Sequence, residues 1–383
     1  MLREYIDKIK PKFEKGGKFE KLHSTFEAFE SFLFVPNTVT RRGTHIRDAG
    51  DMKRSMTVVI LAVMPALLFG MWNVGYQNGV ATEVTRTIFE NFWFGFLRVL
   101  PIIIVSYVVG LSIEFGVAQA RGHEVNEGFL VSGILIPLVV PVDIPLWMVA
   151  VATAFSVVFA KEIFGGTGMN IWNPALIVRA FLFFAYPSEI SGDKVWISGV
   201  REEGVKLVDG FSGATPLSEV AAGHLPTASL SDMFFGFIPG CVGETSTLAI
   251  LLGAAVLIIT GIGSWRIMLS VFAGGASIGL LFNAIGGNVT MEVPFYYHFV
   301  MGGFAFGAIF MATDPVSAAH TNTGKYIYGF LIGLLAVLIR VLNPAYPEGM
   351  MLAILLMNTF APLIDHYVVQ ANINRRLKRV PNS

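Results

Sequence analysis

The residues with the clearest chemical potential are 209–215 (DGFSGAT), in the longest polar stretch between two strongly apolar halves of the chain. Thr215 offers a hydroxyl for phosphoester chemistry, and Asp209 offers a carboxylate that can bind a metal serving a phosphate-bearing donor. Gly213 lets the backbone approach a bulky group closely, and Ala214 keeps the space beside the hydroxyl open. Because the same residue types form ordinary turns, the spacing alone leaves both interpretations open.

Acidic residues inside or at the edge of apolar segments form a second group of candidates. An acidic side chain at the centre of a bilayer costs about 2.5–3.5 kcal/mol on insertion scales and by default indicates a functional site. The residues concerned are Glu114, Glu124, Glu127, Asp314 and Asp365. Pairing with Arg98, Arg179 or a nearby lysine explains each of them equally well. Together they indicate a cation entry region or a proton-accepting quinone site.

The sequence offers little support for a metal or haem centre. Cys241 is the only cysteine, which excludes an iron–sulfur cluster, a structural zinc or a disulfide within the chain. Bis-histidine haem ligation needs two facing histidines, whereas His298 and His366 fall near opposite membrane faces and His123 falls in a loop. We therefore expect no bound metal, and any redox chemistry must use a flavin.

Glycine and charge patterns give no indication of nucleotide or nucleic-acid binding. The glycine run at residues 165–170 follows an apolar helix and no strand, so it does not match a dinucleotide-binding fingerprint. Residues 323–325 lack the spacing of a phosphate loop. The formal net charge of +0 gives no support for electrostatic attraction of nucleic acid. We identify no catalytic Ser/His/Asp or Cys/His group.

Membrane helices must position these candidates. Hydrophobic residues make up 54% of the chain, charged residues 14%, and the mean hydropathy is +0.63, values that a soluble domain seldom has. Since roughly 20 apolar residues cross a bilayer, we predict an all-α polytopic membrane protein with about ten spans. They are residues 57–77, 91–114, 128–140, 146–163, 175–186, 245–263, 267–285, 298–312, 326–342 and 350–369. The third and eighth are short, which predicts broken or tilted segments.

Lysine and arginine positions predict the orientation. The segment before the first span is rich in both, as is the C-terminal tail, and alternate loops carry Arg121, Lys161, Arg266 and Lys325. An even number of spans then leaves both termini in the cytoplasm. The long polar loop, residues 187–244, faces outward, because loops of this length translocate largely regardless of their charge.

The same reading divides the chain into five parts. Residues 1–54 form an amphipathic cytoplasmic arm, with aromatic and aliphatic residues at helical spacing that suit a membrane surface. Residues 55–186 and 245–370 form two transmembrane repeats of five helices, separated by the loop 187–244, and residues 371–383 form a cytoplasmic tail. The repeat rests on an Asn-Pro-Ala triplet late in each half, a pattern that chance can also produce. An interface between such repeats is where broken helices form binding sites.

Six segments carry a resemblance to a known family: residues 36–54 (PNTVTRRGTHIRDAGDMKR), 70–76 (GMWNVGY), 123–128 (HEVNEG), 165–175 (GGTGMNIWNPA), 209–215 (DGFSGAT) and 312–316 (ATDPV). Over almost its whole length the chain resembles the B subunits of Na+-translocating NADH:quinone oxidoreductases. Those are related to the RnfD proteins of the Rnf complexes, which share the core and the D-x-x-S-G-A-T flavin-transfer motif. RnfD proteins usually lack the long N-terminal arm, so the arm favours the sodium pump.

The resemblance implies a bacterial inner-membrane subunit with two flavins. FMN would be esterified to Thr215 by an exported flavin transferase, within a motif that includes Asp209, Ser212, Gly213 and Ala214. A non-covalent riboflavin would lie near Asn170, Asn173 and Pro174. Electrons from NADH would arrive through the flavin of a neighbouring subunit and leave to ubiquinone or menaquinone.

The resemblance also assigns the acidic residues. Glu124 and the N-terminal arm would belong to the quinone side, and Asp314 and Asp365 match positions implicated in sodium handling. Three alternatives stay open: an RnfD protein, which would couple ferredoxin and NAD, a non-redox urea-type channel, and a purely structural scaffold subunit. The scaffold would leave Thr215 unmodified.

Overall fold

The computed structural model describes residues 52–121, 128–201, 205, 207–208, 211–343 and 346–379, together with scattered positions before residue 52. Within these residues the regular structure is helical. Nine apolar helices carry the fold: α1 (Met52–Thr82), α2 (Ile88–Arg121), α3 (Phe129–Val139), α4 (Leu146–Ser156), α5 (Pro174–Ala185), α6 (Thr247–Ile259), α7 (Trp265–Ile285), α8 (Asn322–Leu342) and α9 (Met350–Leu377). Short helices in the connections are Pro187–Ile190, Pro216–Ala221, Leu230–Phe235, Val289–Glu292, Tyr297–Val300 and Phe304–Phe306.

Six helical segments among the described residues are long and apolar enough to cross a membrane. They contain α1, α2, α7, α8 and α9, and the sixth, Leu146–Phe164, joins α4 to a π-helical turn and a 3₁₀ turn. Large apolar side chains such as Leu61, Val108 and Leu269 lie exposed on their outer faces, as contact with lipid requires. The prediction of an all-α polytopic membrane protein is confirmed.

The remaining apolar segments are shorter than a bilayer crossing. α3, α5 and α6 have 11, 12 and 13 residues, and the eighth predicted span is divided between Tyr297–Val300, Phe304–Phe306 and the π-helical turn Gly307–Met311. The shortness of the third and eighth segments was predicted, whereas that of α5 and α6 was not. The total of ten spans stays a prediction.

Proline ends α3 and asparagine starts α5. α3 ends at Val139, and Val140 has an extended backbone, because the residue before a proline, here Pro141, disfavours the helical conformation. The chain therefore covers the remaining distance without helix. α5 begins at Pro174, and the Asn173 side chain caps it by accepting hydrogen bonds from the backbone N–H groups of Ala175 and Leu176 at 3.0 and 3.4 Å. An Asn-Pro pair therefore acts here as a helix start.

Helices pack closely where glycines face a neighbour, as the spacing of Gly275 and Gly279 predicts. A Cβ atom added to Gly275 would lie 2.8 Å from the ring of Phe304, and one added to Gly279 would lie 2.8 Å from the Cβ of Phe295. The broken eighth segment is thereby held against α7 by aromatic rings. α7 also packs along α8, where a side chain at Gly333 would meet the carbonyl of Val271.

Among the residues that the structure describes, each half of the chain has one π-helical turn, Val157–Lys161 and Gly307–Met311. Such turns often mark functional sites. Lys161 corrects one assumption of the orientation argument. We expected it in a cytoplasmic loop, but its side chain is 3% exposed and forms an ion pair with Glu114, which is 4% exposed. Its charge is therefore neutralised inside the protein and contributes little to the charge bias of a loop.

Candidate functional site

Thr215 lies at the start of the six-residue helix Pro216–Ala221 and is its N-cap. Its Oγ1 accepts a hydrogen bond from the backbone N–H of Ser218 at 3.2 Å, and the Ser218 hydroxyl donates to the Thr215 carbonyl at 2.8 Å. Pro216 suits the first helical position because a backbone N–H there would have no partner. The half-buried Thr215 hydroxyl is therefore held in a defined position by the protein itself.

The residues before Thr215 fix the loop to the rest of the protein. Gly213 is buried, and a Cβ atom added to it would collide with the backbone carbonyl of Asp193 and lie 3.2 Å from Ile197. Only glycine permits this approach, which we expected to serve a bulky group. Ser212 accepts a hydrogen bond from the backbone N–H of Ala214 at 3.3 Å. Asp209, whose carboxylate can bind a metal that serves a phosphate-bearing donor, lies outside the described residues.

Thr215 faces a cavity of about 330 Å³, which we call the loop cavity. Its volume is within the range of roughly 300–1,000 Å³ typical of small-molecule sites. Besides Thr215, the lining combines the aromatic side chains of Phe183, Trp196 and Tyr346 with the acidic side chains of Glu244 and Glu348. The cavity joins the end of α5, the loop that carries Thr215 and the connection between α8 and α9.

Charged groups that are buried or half-buried lie at the wall of the loop cavity and behind it. The Arg179 guanidinium forms an ion pair with Glu348, donates to the Val139 carbonyl at 2.6 Å and lies 5.8 Å from the ring centre of Trp196. Arg340, 3% exposed, donates to three backbone carbonyls, including that of Glu348 at 3.2 Å. Glu244 accepts a hydrogen bond from a backbone N–H at 2.9 Å, and its burial raises the pKa of its carboxyl.

These four side chains form the buried charge cluster: Arg179, Arg340, Glu244 and Glu348. Two positive and two negative charges balance when all are ionised. Balance matters because an uncompensated charge is costly to hold inside a protein.

A second cavity, of about 90 Å³, brings together residues that the sequence placed far apart. We call it the asparagine cavity, and its lining includes Lys161, Asn170, Asn173, Pro174, Thr313 and Asp314. The structure thus joins the three residues expected near riboflavin to one of the two expected in sodium handling. Asn173, in the lining of the asparagine cavity, caps the start of α5, and Phe183, in the lining of the loop cavity, lies near its end. The two residues are ten positions apart, so roughly 15 Å of helix separates the cavities.

Asp314 and Asp365 have different surroundings. Asp314 accepts hydrogen bonds from the Ser317 hydroxyl at 2.7 Å and the Val316 N–H at 3.3 Å, and burial raises the pKa of its carboxyl. Asp365 is absent from the asparagine cavity. Its carboxylate accepts from the backbone N–H groups of His320 and Thr321 at 2.6 and 3.0 Å and from the Thr321 hydroxyl at 2.5 Å. It ties the start of α8 to α9.

Glu124, the residue expected on the quinone side, lies outside the described residues, as does Glu127. Only scattered positions of the N-terminal arm are described. Among these, Phe13 stacks on Phe26 with ring centres 4.5 Å apart, and Lys10 pairs with Glu30 at 2.9 Å. The arm therefore makes contacts between positions well separated in the chain.

Comparison with known proteins identifies the family. A sequence model of the NQR2, RnfD, RnfE family matches residues 39–374. The chain belongs to this family. It is 50% identical to the B subunit of the Na(+)-translocating NADH-quinone reductase of Chromohalobacter salexigens, over 99% of this chain and 96% of that protein. Proteins of the same name from Ectopseudomonas mendocina and Pseudomonas aeruginosa are 49% and 48% identical, each over 99% of both chains.

The extent of these matches bears on the N-terminal arm. The NQR2, RnfD, RnfE family model begins at residue 39, whereas the relatives named as B subunits match 99% of the chain. Most of the arm is thus shared with proteins that bear the B-subunit name. The sequence argument for the sodium pump depends on such an arm being shared with B subunits, and these matches agree with it.

Sequence reasoning missed several cavity residues that the structure reveals in this family member. We expected Arg179 only as a possible partner for an acidic residue, and we did not identify Trp196, Tyr346 or Glu348. A usable signal existed for part of this cluster. Arg179 and Arg340 each stand in an apolar helix, and an intramembrane arginine requires a partner.

Proposed function

We propose that this chain is the B subunit of a Na+-translocating NADH-quinone reductase of a bacterial inner membrane. The observation that carries the proposal is the identity of 48–50% to proteins of that name over 99% of the chain. The apolar helices support a membrane location. In this role the chain is part of a multi-subunit oxidoreductase and helps to couple electron transfer to sodium transport. The relatives' names favour it over an RnfD protein, and the flavin motif argues against a urea-type channel.

We propose that Thr215 is the attachment point of a covalent FMN, joined through its phosphate by a flavin transferase. The residues present suit this group. The Thr215 hydroxyl is held by Ser218 at the edge of the loop cavity, and that cavity is large enough for a small aromatic ligand. When bound, FMN would supply reversible electron transfer. The chain's own part is to anchor it, to limit its contact with water and to hold fixed charges beneath it.

We propose a non-covalent riboflavin beside the asparagine cavity, with Asn170, Asn173 and Pro174 as its contacts. Amide groups suit the polar edge of a flavin ring. The enclosed volume of about 90 Å³ is below the range of common ligand sites, so the ring must extend beyond it. Lys161 and Asp314 line the same cavity.

Sodium and quinone complete the proposal. Sodium needs oxygen ligands or a polar path, and moving one charge outward against 100 mV costs about 2.3 kcal/mol, which quinone reduction must supply. We assign Asp314 and Asp365 to the sodium side and Glu124 to the quinone side. Both termini would be cytoplasmic, with residues 187–244 outside, where an exported transferase can reach Thr215.

The deciding experiment is intact mass together with in-gel flavin fluorescence of the chain expressed with its flavin transferase. We expect a mass increase of one FMN less water, mapped to the Thr215 peptide, in the wild type and in Thr227→Ala. Thr215→Ala should carry none, although losing the N-cap also costs about 1 kcal/mol. Thr227 is a fair control because it is an exposed threonine of the same loop. An unmodified wild type, with a known target modified in the same cells, would contradict the proposal.

The same preparations test the second flavin. Denaturing extraction should release riboflavin that is not attached to the chain, and we expect Asn170→Leu to release less of it. Equal riboflavin from wild type and variant would remove Asn170 from the site.

A further inference from the structure

A third cavity, of about 530 Å³, lies where the polar loop 187–244 meets the apolar helices α2 and α4. We call it the arginine pocket, and its lining includes Leu97, Arg98, Asp143, Leu146, Glu189 and Arg201. Among the described residues it shares no lining side chain with the loop cavity or the asparagine cavity. None of its residues takes part in the function proposed above.

Exposed side chains around the arginine pocket place it at the level of the lipid headgroups. Trp93, one turn before Leu97 on α2, is 50% exposed, and Trp147, next to Leu146 on α4, is 55% exposed. Tryptophan is enriched where a membrane meets water. Leu97 and Leu146 are also exposed, and they belong to helical segments long and apolar enough to cross a membrane. The pocket therefore lies between the polar loop and the region of the acyl chains.

Two arginines supply hydrogen-bond donors to this pocket. Arg201 pairs with Glu189 at 2.9 Å and donates to the Ser188 carbonyl at 3.1 Å. A guanidinium has five N–H donors and matches the geometry of a phosphate group, so Arg201 can make these two contacts and bind a phosphate as well. The second guanidinium, that of Arg98, lies 3.8 Å from the Asp143 carboxylate.

Two carboxylates balance the two arginines. Asp143 accepts hydrogen bonds from the Ser198 hydroxyl at 2.5 Å and from the Gly199 backbone N–H at 2.6 Å, so it holds the loop against the start of α4. The half-buried Glu189 carboxylate can accept a hydrogen bond from an ammonium group. Because the four side chains are neutral together, a ligand with one charge of each sign preserves the balance. An anion would leave an excess negative charge, which is costly away from water.

We propose that the arginine pocket binds the headgroup of a zwitterionic phospholipid, a phosphatidylethanolamine, whose acyl chains lie against Leu97 and Leu146. The lipid phosphate accepts hydrogen bonds from Arg98 and Arg201, and the ammonium group donates to Glu189. No covalent or redox step is involved.

The position of the site in the chain gives this lipid a structural consequence. Glu189 and Arg201 flank a segment that contributes a wall of the loop cavity, through Ile190, Ser191, Gly192, Asp193 and Trp196. A lipid that contacts both ends of the segment holds this wall to the membrane surface. The lipid is thus a brace for the loop, independent of any group bound in the loop cavity.

Native mass spectrometry of the full chain, purified in detergent and stripped of lipid, tests the site. Phosphatidylethanolamine and the anionic phosphatidylglycerol are added in equal amounts, and the mass identifies the lipid that is bound. Arg201→Gln removes a cation, Arg201→Lys retains one, and Glu189→Gln removes the charge of the carboxylate at nearly constant size. Arg376→Gln is the control, because it makes the same change at an exposed residue of α9 outside the pocket.

The wild type should bind one phosphatidylethanolamine in preference to phosphatidylglycerol. Arg201→Gln should weaken that binding about tenfold, the size of one hydrogen bond to a charged group, and Arg201→Lys should weaken it less. Glu189→Gln should weaken the binding of phosphatidylethanolamine alone, because phosphatidylglycerol has no ammonium group. Arg376→Gln should behave as the wild type. Amide hydrogen exchange in residues 190–201 should slow when phosphatidylethanolamine is added to the wild type, and should not slow in Arg201→Gln.

Several results would overturn the inference. A wild type that prefers phosphatidylglycerol would contradict the charge argument. Equal phosphatidylethanolamine binding by the wild type and Arg201→Gln would place the lipid elsewhere, and an equal loss in Arg376→Gln would show that the effect is not specific to the pocket. If Arg201→Gln lowers the unfolding temperature of lipid-free protein, Glu189→Gln decides the question, and unchanged lipid selectivity in that variant would refute the site.

Discussion

Replacing Arg179 or Glu348 should test how the protein tolerates charge beneath the loop cavity. The buried charge cluster is neutral with all four groups ionised, so Arg179→Met leaves one excess negative charge and Glu348→Met leaves one excess positive charge. Breaking a buried pair from one side costs about 3–5 kcal/mol. The Glu348 side chain is 23% exposed and the Arg179 side chain 6%. We therefore expect Arg179→Met to lower the stability by about 3 kcal/mol, the lower end of this range, because the residue left without its partner, Glu348, is the better hydrated of the two.

The double variant restores neutrality. Because replacing both partners of a buried pair by apolar residues is often neutral or stabilising, Arg179→Met with Glu348→Met should be more stable than either single variant. The Val139 carbonyl, which accepts a hydrogen bond from Arg179 at 2.6 Å, keeps only the weak Cys241 thiol donor at 3.5 Å, so about 1 kcal/mol of the loss should remain.

Lowering the pH should change the stability of the two single variants differently. Burial raises the pKa of the Glu244 carboxyl above its usual range, so this group takes up a proton early as the pH falls. In Arg179→Met that proton cancels the excess negative charge, and the stability deficit relative to wild type should shrink as the pH falls from neutral. In Glu348→Met the excess charge is carried by an arginine, which cannot deprotonate, and the deficit should persist.

The assay is the unfolding temperature of the purified protein in detergent, followed by intrinsic fluorescence at neutral and mildly acidic pH for wild type, both single variants and the double variant. Additive single losses in the double variant would refute the coupling. Equal pH dependence of the two single variants would refute the role of Glu244 as the proton acceptor.

Two further outcomes follow from contacts described above. Gly213→Ala should lower the fraction of chains with flavin attached to Thr215, because the added Cβ collides with the Asp193 carbonyl. Gly116→Ala, whose added Cβ meets open space, is the control. Equal fractions of FMN-bearing chains in the two variants, measured by intact mass, would contradict the expectation. Asp365→Asn should lower sodium-stimulated turnover more than flavin content. If Asp365 acts by holding the start of α8, Thr321→Ala should reproduce much of the loss, whereas full sodium dependence in Thr321→Ala would instead favour a direct contact between Asp365 and the ion.

Local signals account for what the sequence predicted well. Apolar length identified the long helices, and the Asn-Pro pair at Asn173 and Pro174, first read as half of a repeat, starts α5. The polar loop motif led to Thr215, which the structure places beside a cavity. Each of these features is encoded within a few neighbouring residues, so reading the chain in order is enough to find it.

Contacts between distant residues account for what was missed. Arg179 and Glu348 are 169 positions apart, and nothing in either neighbourhood identifies the other. Lys161 looked like a loop lysine because its partner Glu114 lies 47 positions earlier. Gly213 was expected to make room for a cofactor, yet its neighbour is the protein's own backbone. Pairings of this kind depend on how helices pack, which residue spacing does not encode.

The packing of Gly213 against Asp193 bears on the order of events during biogenesis. Gly213 lies against the Asp193 backbone only in the folded protein, so a flavin transferase that recognises this packed loop, if Thr215 carries the proposed FMN, acts after folding. A chain that stalls during insertion would stay unmodified. Attached flavin would then mark the correctly folded chains, and the fluorescent fraction of a preparation would measure how many chains completed maturation.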